Sequence, residues 1–129
     1  MKGIEIRLPI IKESKILGKT IKRKYAEEKF VLDMSLAAED RFEQNFPTLC
    51  KVYGDLAQYM ESVQAVQDVT RAKVLSMLKC LYCWFDTKYT FREFLQLFDL
   101  TDIDYIEKLV EKLRLSFNII LDNASEKNL

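Results

Sequence analysis

The chain is 129 residues long, with 20 basic and 20 acidic side chains, no histidine, three cysteines, three glycines and two prolines. That is the length of one domain, and a domain of this size buries enough surface to need neither a disulfide nor a metal staple. The missing histidine removes the usual general base near neutral pH and the commonest metal ligand, while so few glycines and prolines disfavour a turn-rich all-β fold. The zero net charge also hides a split. Residues 1–24 carry a net of +6, from Lys2, Arg7, Lys12, Lys15, Lys19, Lys22, Arg23 and Lys24 against Glu5 and Glu13, so residues 25–129 carry −6.

In Gly3–Leu8, Ile4, Ile6 and Leu8 alternate with Glu5 and Arg7, the period of a half-buried strand. Pro9 is expected to end it, because proline cannot donate to a continuing ladder. Residues 10–24 read as a basic connection with a turn at Gly18, and Lys29–Met34 as a second strand pairing antiparallel with the first. A lone hairpin is marginal, so it must lean on the helices C-terminal to it. The opening residues lack the continuous apolar stretch of a signal peptide, and the most apolar region, Val74 to Phe85, is short of a bilayer span and interrupted by Lys79. A cytoplasmic protein without membrane contact is expected.

Ser35 is a good N-cap for a first helix through Phe46, which Pro47 stops. Thr48 is read as the cap of a second helix that runs through Gly54 to about Met60. A third helix begins between Ser62 and Asp68 and runs to Phe85, apolar over much of its circumference. Thr90 and Glu93 form a capping box for a short helix, Phe91–Phe98. Thr101 and Asp104 open a fifth, long helix with Ile106, Leu109, Val110, Leu113, Phe117, Ile120 and Leu121 along one side. The expected fold is mainly α: one domain over residues 1–129, with a β-hairpin and basic connection at 1–34. A compact body of about five helices occupies 35–122, and a polar tail 123–129.

Candidate chemistry is sparse. Cys80 and Cys83 form a C-x-x-C inside an apolar helical run, where thiols serve as small hydrophobes, and too few ligands exist for a structural zinc site. Glu39, Asp40 and Glu43 fall on the polar face of a helix, and Asp99, Asp102 and Asp104 flank a helix start and read as capping groups. The three glycines are isolated, so no phosphate loop is present. No catalytic residue, cofactor or metal is assigned, and the chain is read as a non-enzyme. What remains is binding. One Trp, six Tyr and eight Phe are present, and Trp84, Tyr89 and Phe91, near helix ends, are candidate anchors for a partner. Lys19, Lys22, Arg23 and Lys24, with Tyr25 available for stacking, are a second candidate surface. That cluster would suit a small nucleic-acid-binding regulator of a mobile element, although a pI near 6.3 argues against nucleic acid as the partner.

The segment FVLDMSLAAEDRFEQNFP, a strand leading into a helix with a Phe-Glu pair, resembles the start of phage tail assembly chaperones of long-tailed phages and prophages of low-GC bacteria. The later FREFLQLFDLTDIDYIEKLVEKL, a short aromatic helix feeding a long amphipathic one, is similar to their C-terminal half. The likeness runs from about residue 29 onward, and the basic connection at 10–24 departs from it. The resemblance implies a non-catalytic protein of the host cytoplasm that coats the tape measure protein, keeps it soluble, helps recruit the tail tube protein and leaves before the mature virion. It also implies self-association as a homo-oligomer, since many weak copies along one extended chain gain avidity.

Overall fold

A computed structural model describes residues 4–16, 18–65 and 70–127, and the side chains of all of these except 13–16, 19–24 and 124–127. Two long strands, β1 (Ile4–Ile16) and β2 (Lys19–Leu32), pair antiparallel from Ile4 opposite Leu32 to Ile16 opposite Lys19, with a register shift between Ser14 and Lys15. The basic stretch is therefore not a loop between short strands. It is the far half of the strands themselves, turning near Gly18 at a φ of 80°.

Pro9 does not end β1, for a reason of topology. The sheet order is β1-β2-β3, which puts β1 on an edge, and there a proline can direct its nitrogen away from the ladder. The free edge is used on that stretch: the Pro9 carbonyl accepts from the Tyr105 hydroxyl at 2.7 Å, and the Ile11 amide donates to the Leu97 carbonyl at 2.7 Å. The helical body so covers part of an edge that would otherwise invite pairing with another strand. The inner face carries Ile6, Leu8 and Ile10 from β1 and Phe30 and Leu32 from β2, all buried.

The body contains α1 (Leu36–Asn45), α2 (Pro47–Tyr53), α3 (Leu56–Ala65), α4 (Arg71–Trp84), α5 (Phe91–Leu95) and α6 (Ile103–Lys127). The two-residue strand β3 (Phe85–Asp86) pairs with Val31 and Leu32 of β2. The architecture is mainly α with an N-terminal hairpin, as the sequence suggests, with six helices among the described residues where about five are expected. Ser35 caps α1 through its side chain, and Thr90 with Glu93 makes a reciprocal capping box on α5, which ends at Leu95 rather than Phe98. Pro47 both closes α1 and opens α2, so Thr48 lies within α2 and is not its cap.

Three further boundaries differ from expectation. Gly54, at a φ of 88°, ends α2, and Asp55 and Glu39 then accept from the amides of Gln58 and Leu56 to start α3. Thr70 caps α4, whose start is thus later than Ser62–Asp68; residues 66–69 lie outside the described residues. Asp102, not Thr101, accepts from the amides of Asp104 and Tyr105 at the start of α6, and that helix continues through the expected polar tail to Lys127.

Helix α4 is the centre of the body, packed against α1, α3, α5 and α6. Eight of its fourteen residues are buried. Its all-round apolar character is explained by these neighbours. Aromatics fill the space between α4, α5 and the sheet: Phe94 is fully buried and meets Phe30, Phe85, Tyr82 and Phe98, with ring centroids 5.1–5.9 Å apart. Among the described residues no helix is long and apolar enough to cross a membrane.

Candidate partner-binding surfaces

Trp84 ends α4, Tyr89 lies in the connection after β3, and Phe91 opens α5; Tyr89 and Phe91 both meet Tyr82, whereas Trp84 lies two residues beyond Tyr82, about 200° round α4. All are half-buried against the core. The Phe91 ring meets Phe46 edge-on at 4.8 Å and Tyr82 at 5.3 Å. The Tyr89 hydroxyl donates to Glu28 Oε1 at 2.7 Å, and the Tyr89 carbonyl accepts from the Tyr82 hydroxyl at 2.8 Å. The hydrogen bond to the Glu28 carboxylate holds the Tyr89 hydroxyl above its ordinary pKa, as does partial burial. Trp84 has its indole N–H buried without a hydrogen-bond partner. These side chains therefore have structural work inside the molecule, and each offers solvent only a part of its surface.

Lys19, Lys22, Arg23 and Lys24 all lie on the far half of β2. Their backbone register sets Lys24 opposite Lys12, Arg23 opposite Glu13, Lys22 opposite Ser14 and Lys19 opposite Ile16. Their side chains lie outside the described residues. Tyr25, at the base of this arm, is half exposed at 50%. Its ring is already stacked on Tyr105, with centroids 4.8 Å apart, and its hydroxyl donates to Asp102 at 2.8 Å. That bond, with the amides at the start of α6, holds the Asp102 carboxyl below its ordinary pKa. A ring already stacked and anchored in this way is engaged within the fold and is not a free platform for a base.

Two apolar surfaces lie outside the sequence expectations. Helix α2 buries none of its residues, leaving Val52 68% exposed and Leu49, Cys50 and Tyr53 partly covered. On α6, a groove of about 570 Å³ is lined by Ile106, Glu107, Val110, Glu111, Arg114, Leu115 and Asn118. Leu115 is 47% exposed there, and Ile103, one turn before Glu107, is 71% exposed. The signal in the sequence is positional: at 100° per residue, Ile103 and Leu115 fall outside the core-facing stripe centred on Leu109, Leu113 and Ile120.

With that geometry in view, comparison with known proteins adds no family. The chain matches no family model, no curated protein and no solved structure.

Several of the other polar groups are held by contacts within the fold. Arg41 donates to Asp33 at 2.9 Å and to the Cys83 carbonyl at 3.1 Å, tying the end of β2 to α1 and the end of α4. Asp33 also accepts from Ser35, and these bonds hold its carboxyl below the ordinary value. Glu39, rather than lying free on a polar face, serves the start of α3. Cys80 and Cys83 are buried as free thiols, and burial raises both, Cys83 to about 12. A thiol so raised is protonated at neutral pH and a poor nucleophile.

Proposed function

We propose that the protein is a non-catalytic tail assembly chaperone of a phage or prophage, binding the tape measure protein in the host cytoplasm, keeping it soluble and helping to recruit the tail tube protein. The sequence resemblance supplies the family. The observation that carries the reading physically is α2, a whole helix lying on the body with no residue buried and with Val52 in solvent. Val52, with the half-covered Leu49, Cys50 and Tyr53 beside it, can extend contact to the apolar stripe of a long helix, which is what keeping such a helix soluble requires.

The test is co-expression with the tape measure protein encoded beside it. The long protein should become soluble and co-purify with this chain, and Val52→Asp should weaken capture while leaving the fold intact. A tape measure protein that stays insoluble, with nothing co-purifying, rejects the reading. A second reading, a small nucleic-acid-binding regulator of a mobile element, draws on the ladder register that sets Lys12 opposite Lys24 beside Arg23 and Lys22. Binding to duplex DNA that weakens steeply with salt would promote it.

A further inference from the structure

Lys73, in the first turn of α4, is only 9% exposed, yet its ammonium makes no ion pair or hydrogen bond among the described residues. Leaving a charge buried and unpaired is costly. The positive end of the α4 dipole lies at the same place, and the first turn holds no acidic residue to offset either charge. Lys73 lines a cavity of about 250 Å³ formed by α3 and the start of α4, with Tyr53 of α2 at its border. Three hydroxyls share that lining with protons to give. Thr70 Oγ1 accepts from the Lys73 amide at 3.1 Å, so its own proton is left to donate. The hydroxyls of Ser62 and Tyr53 make no hydrogen bond among the described residues. No carboxylate is among the described residues that line the cavity.

A pocket rich in donors, free of acids and holding one cation suits an anion of single charge. A phosphate group carries about −1.5 to −2 at neutral pH and is usually met by several cations. A carboxylate brings one charge and two acceptor oxygens, which one ammonium and a few hydroxyls satisfy. Tyr59 and Val63, both buried, supply apolar wall, so the carboxylate should carry an apolar stem. Size limits that stem. The cavity equals the liquid volume of roughly eight waters and falls below the ~300 Å³ at which sites for drug-sized ligands begin. We infer that this pocket binds a carboxylate on a short apolar stem, held by Lys73 together with Ser62, Thr70 and Tyr53. A free short-chain acid and the glutamate side chain of a partner protein both present that chemistry. The inference is independent of the chaperone reading.

Titrating the isotope-labelled full chain with hexanoate, read by the amide resonances of Thr70, Lys73 and Ser76, tests it. The shifts should saturate with a Kd on the order of 1 mM, and about 20 mM hexanoate should raise the thermal midpoint. Hexanol and hexylamine keep the stem without the negative charge, and each should bind at least about tenfold more weakly, as should inorganic phosphate. Lys73→Met keeps the covered stem, removes the charge and should weaken hexanoate at least about tenfold. Ser62→Ala and Tyr53→Phe should each weaken it about threefold, and they keep the test open if Lys73→Met does not fold. N-acetylglutamate amide separates the two sources: tighter binding than hexanoate identifies a partner's side chain, and weaker binding a free acid. Shifts that never saturate overturn the inference. So does hexanol or phosphate binding as tightly as hexanoate, or binding that the substitutions leave unchanged. Binding seen only after Asp68→Asn overturns it too, since a carboxylate of the chain itself would then fill the pocket.

Discussion

Single side chains in this molecule are committed in ways their sequence positions disguise. Tyr89 looks like a surface anchor, yet its hydroxyl holds one oxygen of Glu28, whose other oxygen is buried without a partner. Tyr89→Phe leaves the whole carboxylate unpaired and should destabilise the protein by about 1–3 kcal/mol, measured by urea unfolding. A side chain serving only as an external anchor would leave the unfolding midpoint unmoved. Asp33 makes a pH prediction. Its carboxyl sits lower in the folded state than its ordinary 3.8, so its charged form favours folding. That contribution is fully present above pH 3.8 and is lost as the pH falls through 3.8 toward the lower folded value. Asp33→Asn should therefore be less stable than the parent at pH 6, with the gap narrowing toward pH 3 in parallel denaturation curves. The thiols divide in the same manner. Cys50 is half-buried while Cys80 and Cys83 are enclosed, so Ellman's reagent should titrate one fast thiol in the native protein and the other two only on denaturation.

At the scale of elements, legible and illegible features separate by range. Ser35, and Thr90 with Glu93, are legible because capping is decided within three residues of chain. Pro9 misleads because tolerance of proline in a strand depends on which edge is free, and that is settled by β2 and by Tyr105, ninety-six residues away. The pairing of β3 with β2 spans two residues and leaves no periodicity to find. The packing of Tyr89 and Phe91 against the core is not legible, since alternation and helical period do not say which ring meets Phe46. Gly54 gives the sharpest discrimination. Inside a continuous helix, as the local pattern suggests, Gly54→Ala would stabilise by up to about 1 kcal/mol. At a φ of 88° it should destabilise by about 1 kcal/mol, because an L side chain resists that conformation. The nearest atom to an added Cβ is Gln58 Nε2 at 3.8 Å, so crowding does not enter, and the sign of the change in thermal midpoint decides between the two.

Across the whole molecule, the split of +6 against −6 coincides with a division of labour between the two halves of the hairpin. The near half is core: the described apolar contacts of the sheet with the helices extend from Ile4 to Ile11 on β1 and from Tyr25 to Leu32 on β2. The far half carries the basic residues and pairs with itself from Lys12 opposite Lys24 outward. Stability and arm charge should therefore be separable. Replacing residues 13–23 by Asn-Gly joins Lys12 to Lys24 through the two-residue turn that antiparallel strands favour, without altering the register nearer the body. The change removes four basic groups and one acidic one, leaving a net charge of −3. The shortened protein should unfold cooperatively within about 1 kcal/mol of the parent, since the segment removed holds none of the described core contacts. Any salt-dependent binding to DNA should vanish in it. A shortened chain that loses cooperative unfolding would show that the arm is part of the fold's stability, and the +6 would then need a structural rather than a binding explanation.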